Sequence, residues 1–496
     1  MDSNLTGLVL PVMLPLVILA AVLALAARPL ARYFVNAASD HITTLLLSDK
    51  YTENLAELLP SLRRFSLLNA VETSLRAETG EVLNRPLGTP KHYPGFDNLL
   101  FVPQQMQGVM LSEDIPVDMT VVLGGRCQRP LRLKMPLMIS GMGYGVGLSQ
   151  PAKIALTRGA NLAGTAICSG EGPVLPEEQA EAERYILQIA RWTWGLRTDA
   201  EVRAAHMLEV RMGQGAEVGS VRLKASDMAG RAADLAGIKS GEDLVSWAAL
   251  PGIEKPADWP AFVAGLRQRA GGIPLALKIM ATDRIEEDAA MAVDLGFDVL
   301  MIDGAEGGSH SVSPIKQDDF GLPSLQALVR ARRFLDTDAA ARQLSMSLVV
   351  GGGYFTPGQC LKALALGADA VYLGTVPLFA LAHGQTAKAL PWEPITNLVF
   401  YDSPDKSCLD VGKAAVSVGH VLTSMNLEMA EALRAMGKKT LSELGPDDLT
   451  AVDEVTARLT GVRQAAARDT GRTRVLPRAG RAGRRPAATY HYYSRR

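Results

Sequence analysis

The stretch "SLVVGGGYFTPGQCLKALALGADAVYLGT", residues 347–375, reads as a strand, a turn, a helix and a second strand. Ser347 to Val350 is an apolar run of the kind a strand buried on both faces requires. Gly351, Gly352 and Gly353 end it. Thr356 is a good N-cap, Pro357 suits the first helical position, and helical periodicity follows as far as Gly367. A second apolar run then ends at Gly374 and Thr375. This is a βαβ unit with parallel strands, so the two glycine turns lie side by side at the strand ends. Bare N–H groups beside a helix N-terminus suit a phosphate.

The same alternation extends back to Pro136. Strand-like runs occupy 136–142, 162–167, 186–190, 206–213, 275–281, 299–303, 346–352 and 370–375, most of them separated by helical patterns. Eight such strands over about 250 residues predict an α/β fold, a (β/α)8 barrel of TIM type, spanning 136–385. Residues 214–257 are too long for a simple connection and read as an insertion. A helical and irregular lead-in is expected at 36–135, and a helical C-terminal extension at 386–462 with helices at 410–437 and 440–460. The tail, 463–496, has ten arginines against one aspartate and is expected to be disordered.

From Leu8 to Ala27 the chain carries no charge, about the length of one bilayer crossing, and Arg28 and Arg32 follow. A transmembrane helix within 1–35 is therefore expected, with the lipid bilayer as partner and the bulk of the chain cytoplasmic. Net charge is −1, which gives no reason to expect nucleic acid. Cys127, Cys168, Cys360 and Cys408 form no C-x-x-C pair, so no metal site is expected.

Three constellations carry chemistry. The first is the pair of glycine turns. The second is Lys278, inside the apolar run "PLALKIMA", where a lysine must meet an anion or reach the mouth of the barrel and stabilise negative charge there. The third is "GTAICSGEGPVLPEE", 164–178, which brings Thr165, Ser169 and Glu171 after the second strand. The run "VLMIDGAEGGSHSVSP", 299–314, adds Asp303, Gly304, Gly307 and Gly308 in a loop built for close backbone approach. "GMGYGVG" at 141–147 fails the spacing of a dinucleotide fingerprint.

In this order, "LMISGMGYG", "GANLAGTAICSGEGPVLPEE", "VRMGQGAEVG", "ALKIMATDRIEEDAAMAVDLGFDVLMIDGAEGGSHSVSP" and "VVGGGYFTPGQCLKALALGADAVYLGT" resemble the FMN-binding synthase domain of the glutamate synthase family. The resemblance covers roughly residues 75–460. It implies an FMN cofactor and reductive amination of 2-oxoglutarate with ammonia, reduced FMN delivering hydride to 2-iminoglutarate to give glutamate. It also implies an electron donor that the sequence does not name. By position, Gly351 to Gly353, Gly374 and Thr375 match the phosphate turns. Ser140, Gly141 and Met142 match the segment beneath the flavin; Thr165 and Gln188 match contacts to its ring. Lys278 lies beside the ring, and Glu171, Arg211 and Gln214 match the substrate side, with Lys278, Glu171 and Gln214 as catalytic candidates.

Departures accompany the match. Arg211 and Glu217 stand where the family carries lysines, His310 is new in the sixth-strand loop, and neither the family's iron–sulfur cluster nor its glutaminase domain is expected here. Two alternatives follow: an FMN oxidoreductase on a different small 2-oxo or amino acid, and a catalytically idle flavin-binding scaffold at a membrane.

Overall fold

A computed structural model describes residues 3–48, 60, 63–239, 241, 243–310, 312–385 and 393–466. The chain divides into two compact units, Met1–Leu83 and Asn84–Arg496. In the first, helix α1 (Ser3–Ser48) takes in the whole uncharged stretch and runs on without a break past Arg28, Arg32 and Asp40. Among the described residues, no helix is long and apolar enough to cross a membrane. That overturns the expected anchor, and with it the bilayer contact and the inferred orientation. The charge-free run is one part of a longer helix rather than an element set off by its flanks.

The second unit is built on a closed parallel barrel. Its strands are β1 (Leu137–Ile139), β2 (Ile167–Cys168), β3 (Tyr185–Ile189), β4 (Met207–Arg211), β5 (Leu275–Met280), β6 (Val299–Asp303), β7 (Ser347–Gly351) and β8 (Ala370–Leu373). They pair in sequence order, and β8 closes on β1 with Val371 opposite Leu137 and Leu373 opposite Ile139. Side chains on a strand alternate between faces, so every second residue enters the barrel. Met138, Ile186, Met207, Val299 and Val349 fill the lower interior, and a hairpin of Val121–Leu123 and Leu131–Leu133 packs against them. The next inward positions above Ile186, Met207 and Ala276 are Gln188, Glu209 and Lys278, and on β6 Asp303 follows Met301. The alternation that builds an apolar floor thus puts a polar layer above it.

Helix α2 (Gln150–Ala163) follows β1, and α3 (Pro357–Ala365) follows β7. Ser149 caps α2 through the Ala152 N–H, and Gly164 ends it in the left-handed conformation. The long C-terminal helix α4 (Val411–Ala435) lies along α2, so close that a Cβ at Gly159 would sit 2.5 Å from Val418. Residues 440–460 do not form the single helix expected. Gly445-Pro446 breaks the run, Leu449–Ala451 pairs antiparallel with Leu99–Phe101, and only Glu454–Thr460 is α-helical there. The insertion carries a small antiparallel pair, Arg222–Leu223 with Leu244–Val245, and a short helix, Arg231–Ala236. Of the arginine-rich tail, 467–496 lies outside the described residues.

Buried cations brace the upper rim from beneath. Lys153, on α2, pairs with Glu178 at 2.8 Å, both side chains about 1% exposed. Its ammonium also donates to the carbonyls of Met142 (2.8 Å) and Ser169 (3.0 Å). Arg197 donates to the carbonyls of Gln188, Gly172 and Gly170. Removing one partner of a buried pair strands the other charge. Lys153→Met is therefore expected to cost about 3–5 kcal/mol of stability, measured as a lowered urea midpoint with an unchanged transition slope.

Candidate functional site

A cavity of about 340 Å³ opens at the C-terminal end of the barrel. Its walls collect most of the residues singled out in the sequence. Ser140, Gly141 and Met142 line it where the chain leaves β1, and Gln188, Lys278 and Asp303 come from the polar layer. The loops after β6, β7 and β8 add Gly307, Gly308, Gly352, Gly353, Gly374 and Thr375, and Glu171, Arg211 and Gln214 stand on the remaining side.

Four expected residues are not in the wall, among them Ser169, whose hydroxyl donates to the Gly170 carbonyl and accepts from the Gln188 N–H. Thr165 has the outward parity on its strand; its hydroxyl donates to the Leu137 carbonyl and it is fully buried below the cavity. Gly304 and Gly351 lie behind the lining, where they permit close packing. A Cβ at Gly304 would fall 2.1 Å from the Ser324 hydroxyl, and one at Gly351 would fall 2.6 Å from Asp303 Oδ1.

Lys278 is 2% exposed. Its Nζ lies 3.7 Å from Asp303 Oδ2 and 5.6 Å from the centroid of the Tyr372 ring. The Tyr372 hydroxyl donates to Glu209 Oε2 (2.9 Å), and Gln188 Nε2 donates to Glu209 Oε1 (2.7 Å). Burial pushes the Asp303 carboxyl above its ordinary range, and Lys278 partly offsets that. One cation therefore faces the cavity from a layer whose acids are otherwise tied down.

Across the cavity, Arg211 ends β4 and is closed in by acids. Its Nη1 lies 2.6 Å from Glu171 Oε2 and its Nη2 lies 2.5 Å from Glu217 Oε1. Its Nε donates to Gln214 Oε1 at 3.2 Å. The turn that carries Glu217 back onto Arg211 places Ala216 at φ 64°, and a Cβ at Gly215 would meet the Gly304 carbonyl at 2.2 Å. Burial works against the charge on Arg211, but Glu171 and Glu217 outweigh it and hold the guanidinium protonated. The two acids are unequal. Burial raises Glu171, which Arg211 and the Trp192 indole N–H (2.8 Å) only partly counter. Glu217 is also desolvated, yet Arg211 and the Ser309 hydroxyl lower it overall. Glu171 is thus the acid that more readily holds a proton.

The glycine turns meet their steric test. Gly352 and Gly353 have φ of 102° and 76°, and a Cβ on Gly352 would come within 2.8 Å of the Gly304 nitrogen. Thr356 and Gln359 form a capping box at the start of α3, and a second helix, Thr375–Ala382, begins at the other turn. Two helix N-termini and bare backbone at adjacent turns suit a phosphate. A cationic lysine near the cavity floor suits a ring system that gains negative charge on reduction. The residues present fit FMN. Gly352→Ala is expected to lose at least nine-tenths of bound flavin, read as the flavin-to-protein absorbance ratio of the purified variant.

Sequence reading missed Tyr372, Glu209 and Trp192. The first two were within reach, since period-two counting back from Gly374 and from Arg211 puts them inside the barrel. Trp192 arrives on a loop with no such signal, whereas Glu306, visible as the lone acid among the glycines after β6, accepts from the Ser324 N–H (2.7 Å). His310 lines the cavity with its ring 4.1 Å from that of Phe400 and its Nε2 3.6 Å from Asp402 Oδ1. Burial lowers its pKa, and Asp402 partly restores it.

A model of the conserved region in glutamate synthase matches residues 97–388. The glutamate synthase large subunit-like protein of Rhizobium meliloti (strain 1021) is 32% identical over 396 residues, 76% of this chain and 88% of that protein. The archaeal-type glutamate synthase [NADPH] of Thermotoga sp. (strain RQ2) is 29% identical over 331 residues, 62% of this chain and 64% of its own length. Among solved structures, a chimera of (S)-mandelate dehydrogenase superposes with a TM-score of 0.46 at 15% identity, over 71% of this chain and 88% of that one. With a matched region that runs through all eight barrel strands and their glycine turns, the chain belongs to the glutamate synthase family.

Proposed function

We propose that the protein is an FMN-dependent oxidoreductase of glutamate synthase type that works on the carbon–nitrogen bond of a small 2-oxo or amino acid. The observation that carries this is the buried Lys278–Asp303 pair, set in one cavity with the glycine turns after β7 and β8. When bound, FMN supplies the hydride chemistry. The chain's own residues do the rest. Gly352, Gly353, Gly374 and Thr375 take the phosphate end. Ser140, Gly141, Met142 and Gln188 form the bed of the ring, and Lys278 balances negative charge beside it. Glu171, already inclined to hold a proton, faces the reacting carbon and nitrogen as the acid–base group, and Gln214, itself held by Arg211, stands beside it for the substrate's polar end.

The parent reaction of the family forms glutamate from 2-oxoglutarate and ammonia, and one observation favours a different substrate. Arg211, the cation that a second carboxylate needs, is occupied by Glu171 and Glu217. A dianion entering here finds the guanidinium already engaged, and an unpaired charge in a partly dry site is costly. The reading therefore favours a substrate with one carboxylate or none. Mass analysis of the flavin released on denaturation tests the first step. FMN at about one per chain is expected; a different flavin, or none, removes the proposal.

A further inference from the structure

Beside the cofactor cavity lies a second chamber of about 310 Å³. Glu171 and Glu217 stand in the partition and line both spaces, whereas Arg211 lines only the first. The insertion after β4 supplies part of the chamber wall, including Leu223, Lys224 and Asp227, and Asp402 also lines it. Four acidic side chains, Glu171, Glu217, Asp227 and Asp402, line it against Arg222 and Lys224, with Arg211 holding Glu171 and Glu217 from the cofactor side, so acids still outnumber cations by one. Of those cations, Arg222 already lies 3.5 Å from Asp243. The rest of the wall mixes apolar and aromatic side chains, Val221, Leu223, Val312, Tyr401 and Trp192 (stacked on Trp194 at 5.1 Å), with Asn84, Ser309 and His310. Excess carboxylate repels an anion, and apolar walls give bare ammonium no advantage. A positively charged head on a hydrocarbon body satisfies both surfaces.

We propose that this chamber binds a protonated alkylamine, its ammonium group against the Glu171–Glu217 partition and Asp402, its hydrocarbon against Trp192 and Leu223. The site admits the nitrogen-bearing reactant from the insertion side. That purpose rests on the proposed carbon–nitrogen chemistry, but the binding is measurable without turnover.

The test titrates the full-length, flavin-loaded protein with n-butylammonium, butyrate and ammonium chloride at constant ionic strength, by calorimetry and by Trp fluorescence. Saturable binding of n-butylammonium is expected, at least tenfold tighter than ammonium, with none for butyrate. The Asp227→Asn, Asp402→Asn double variant is expected to weaken it at least tenfold and to keep its flavin. Equal binding of butyrate, no saturable binding of the amine, unchanged affinity in the double variant, or loss of its flavin would each overturn the assignment. Intact amine binding with a flavin inert to every imine sinks the proposed function instead and leaves the chamber standing.

Discussion

Lys278→Met is expected to slow reoxidation of the reduced flavin by substrate by roughly 10²–10³-fold, with FMN still bound. The lysine is the cation of the inward polar layer, held 3.7 Å from Asp303 and above the Tyr372 ring. Methionine keeps the length and apolar stem but removes the charge that balances the anionic ring. Asp303 loses its counter-charge at the same time. Its carboxyl is already raised by burial, so it takes up a proton more readily in the variant and spares the barrel an isolated anion. Flavin content and melting temperature should therefore change far less than the rate. Stopped-flow absorbance separates these readouts, and a rate within threefold of the parent would show that Lys278 is a packing residue only.

Glu217→Gln is expected to tighten 2-oxoglutarate binding by about 10–100-fold, or roughly 1.4–2.8 kcal/mol. Glu217 is 4% exposed, and its Oε1 neutralises one end of Arg211. Glutamine preserves the shape of the turn and releases that end of the guanidinium for an incoming carboxylate. Calorimetric titration of parent and variant reads the change directly. Equal affinities would mean that Arg211 does not meet the substrate, and would remove the argument for an altered specificity.

The barrel was legible because a parallel strand buried on both faces reads as a short apolar run closed by a turn; the run at 162–167 is the poorest match, beginning in the last turn of α2 and meeting its strand only at Ile167. The cavity was legible in its glycines, since positive φ and close backbone approach leave few alternatives at Gly352 and Gly353. What failed was direction. Thr165 is next to the right strand but one residue out of phase, so its hydroxyl is spent on the Leu137 carbonyl. The Arg211–Glu171–Glu217 cluster joins the end of β4 and the turn after it to the loop after β2. Sequence marked Glu217 as a departure but could not place its carboxylate against Arg211. At the N-terminus, a charge-free window was read as an element, whereas the helix runs on through the charges to Ser48. Gly445-Pro446 was a visible break that the reading of 440–460 passed over.

The most direct test of the central claim, flavin chemistry on a carbon–nitrogen bond, is a single anaerobic experiment. The protein is reduced, and flavin absorbance is followed on adding a 2-oxo acid, an amine source, or both, across a panel that includes 2-oxoglutarate with ammonium and 2-oxo monoacids with alkylamines. The account predicts reoxidation only when both compounds are present, with the corresponding amino acid formed in step and monocarboxylate pairs faster than 2-oxoglutarate. A reduced flavin that no pair reoxidises, or one that a 2-oxo acid alone reoxidises as fast, would contradict it.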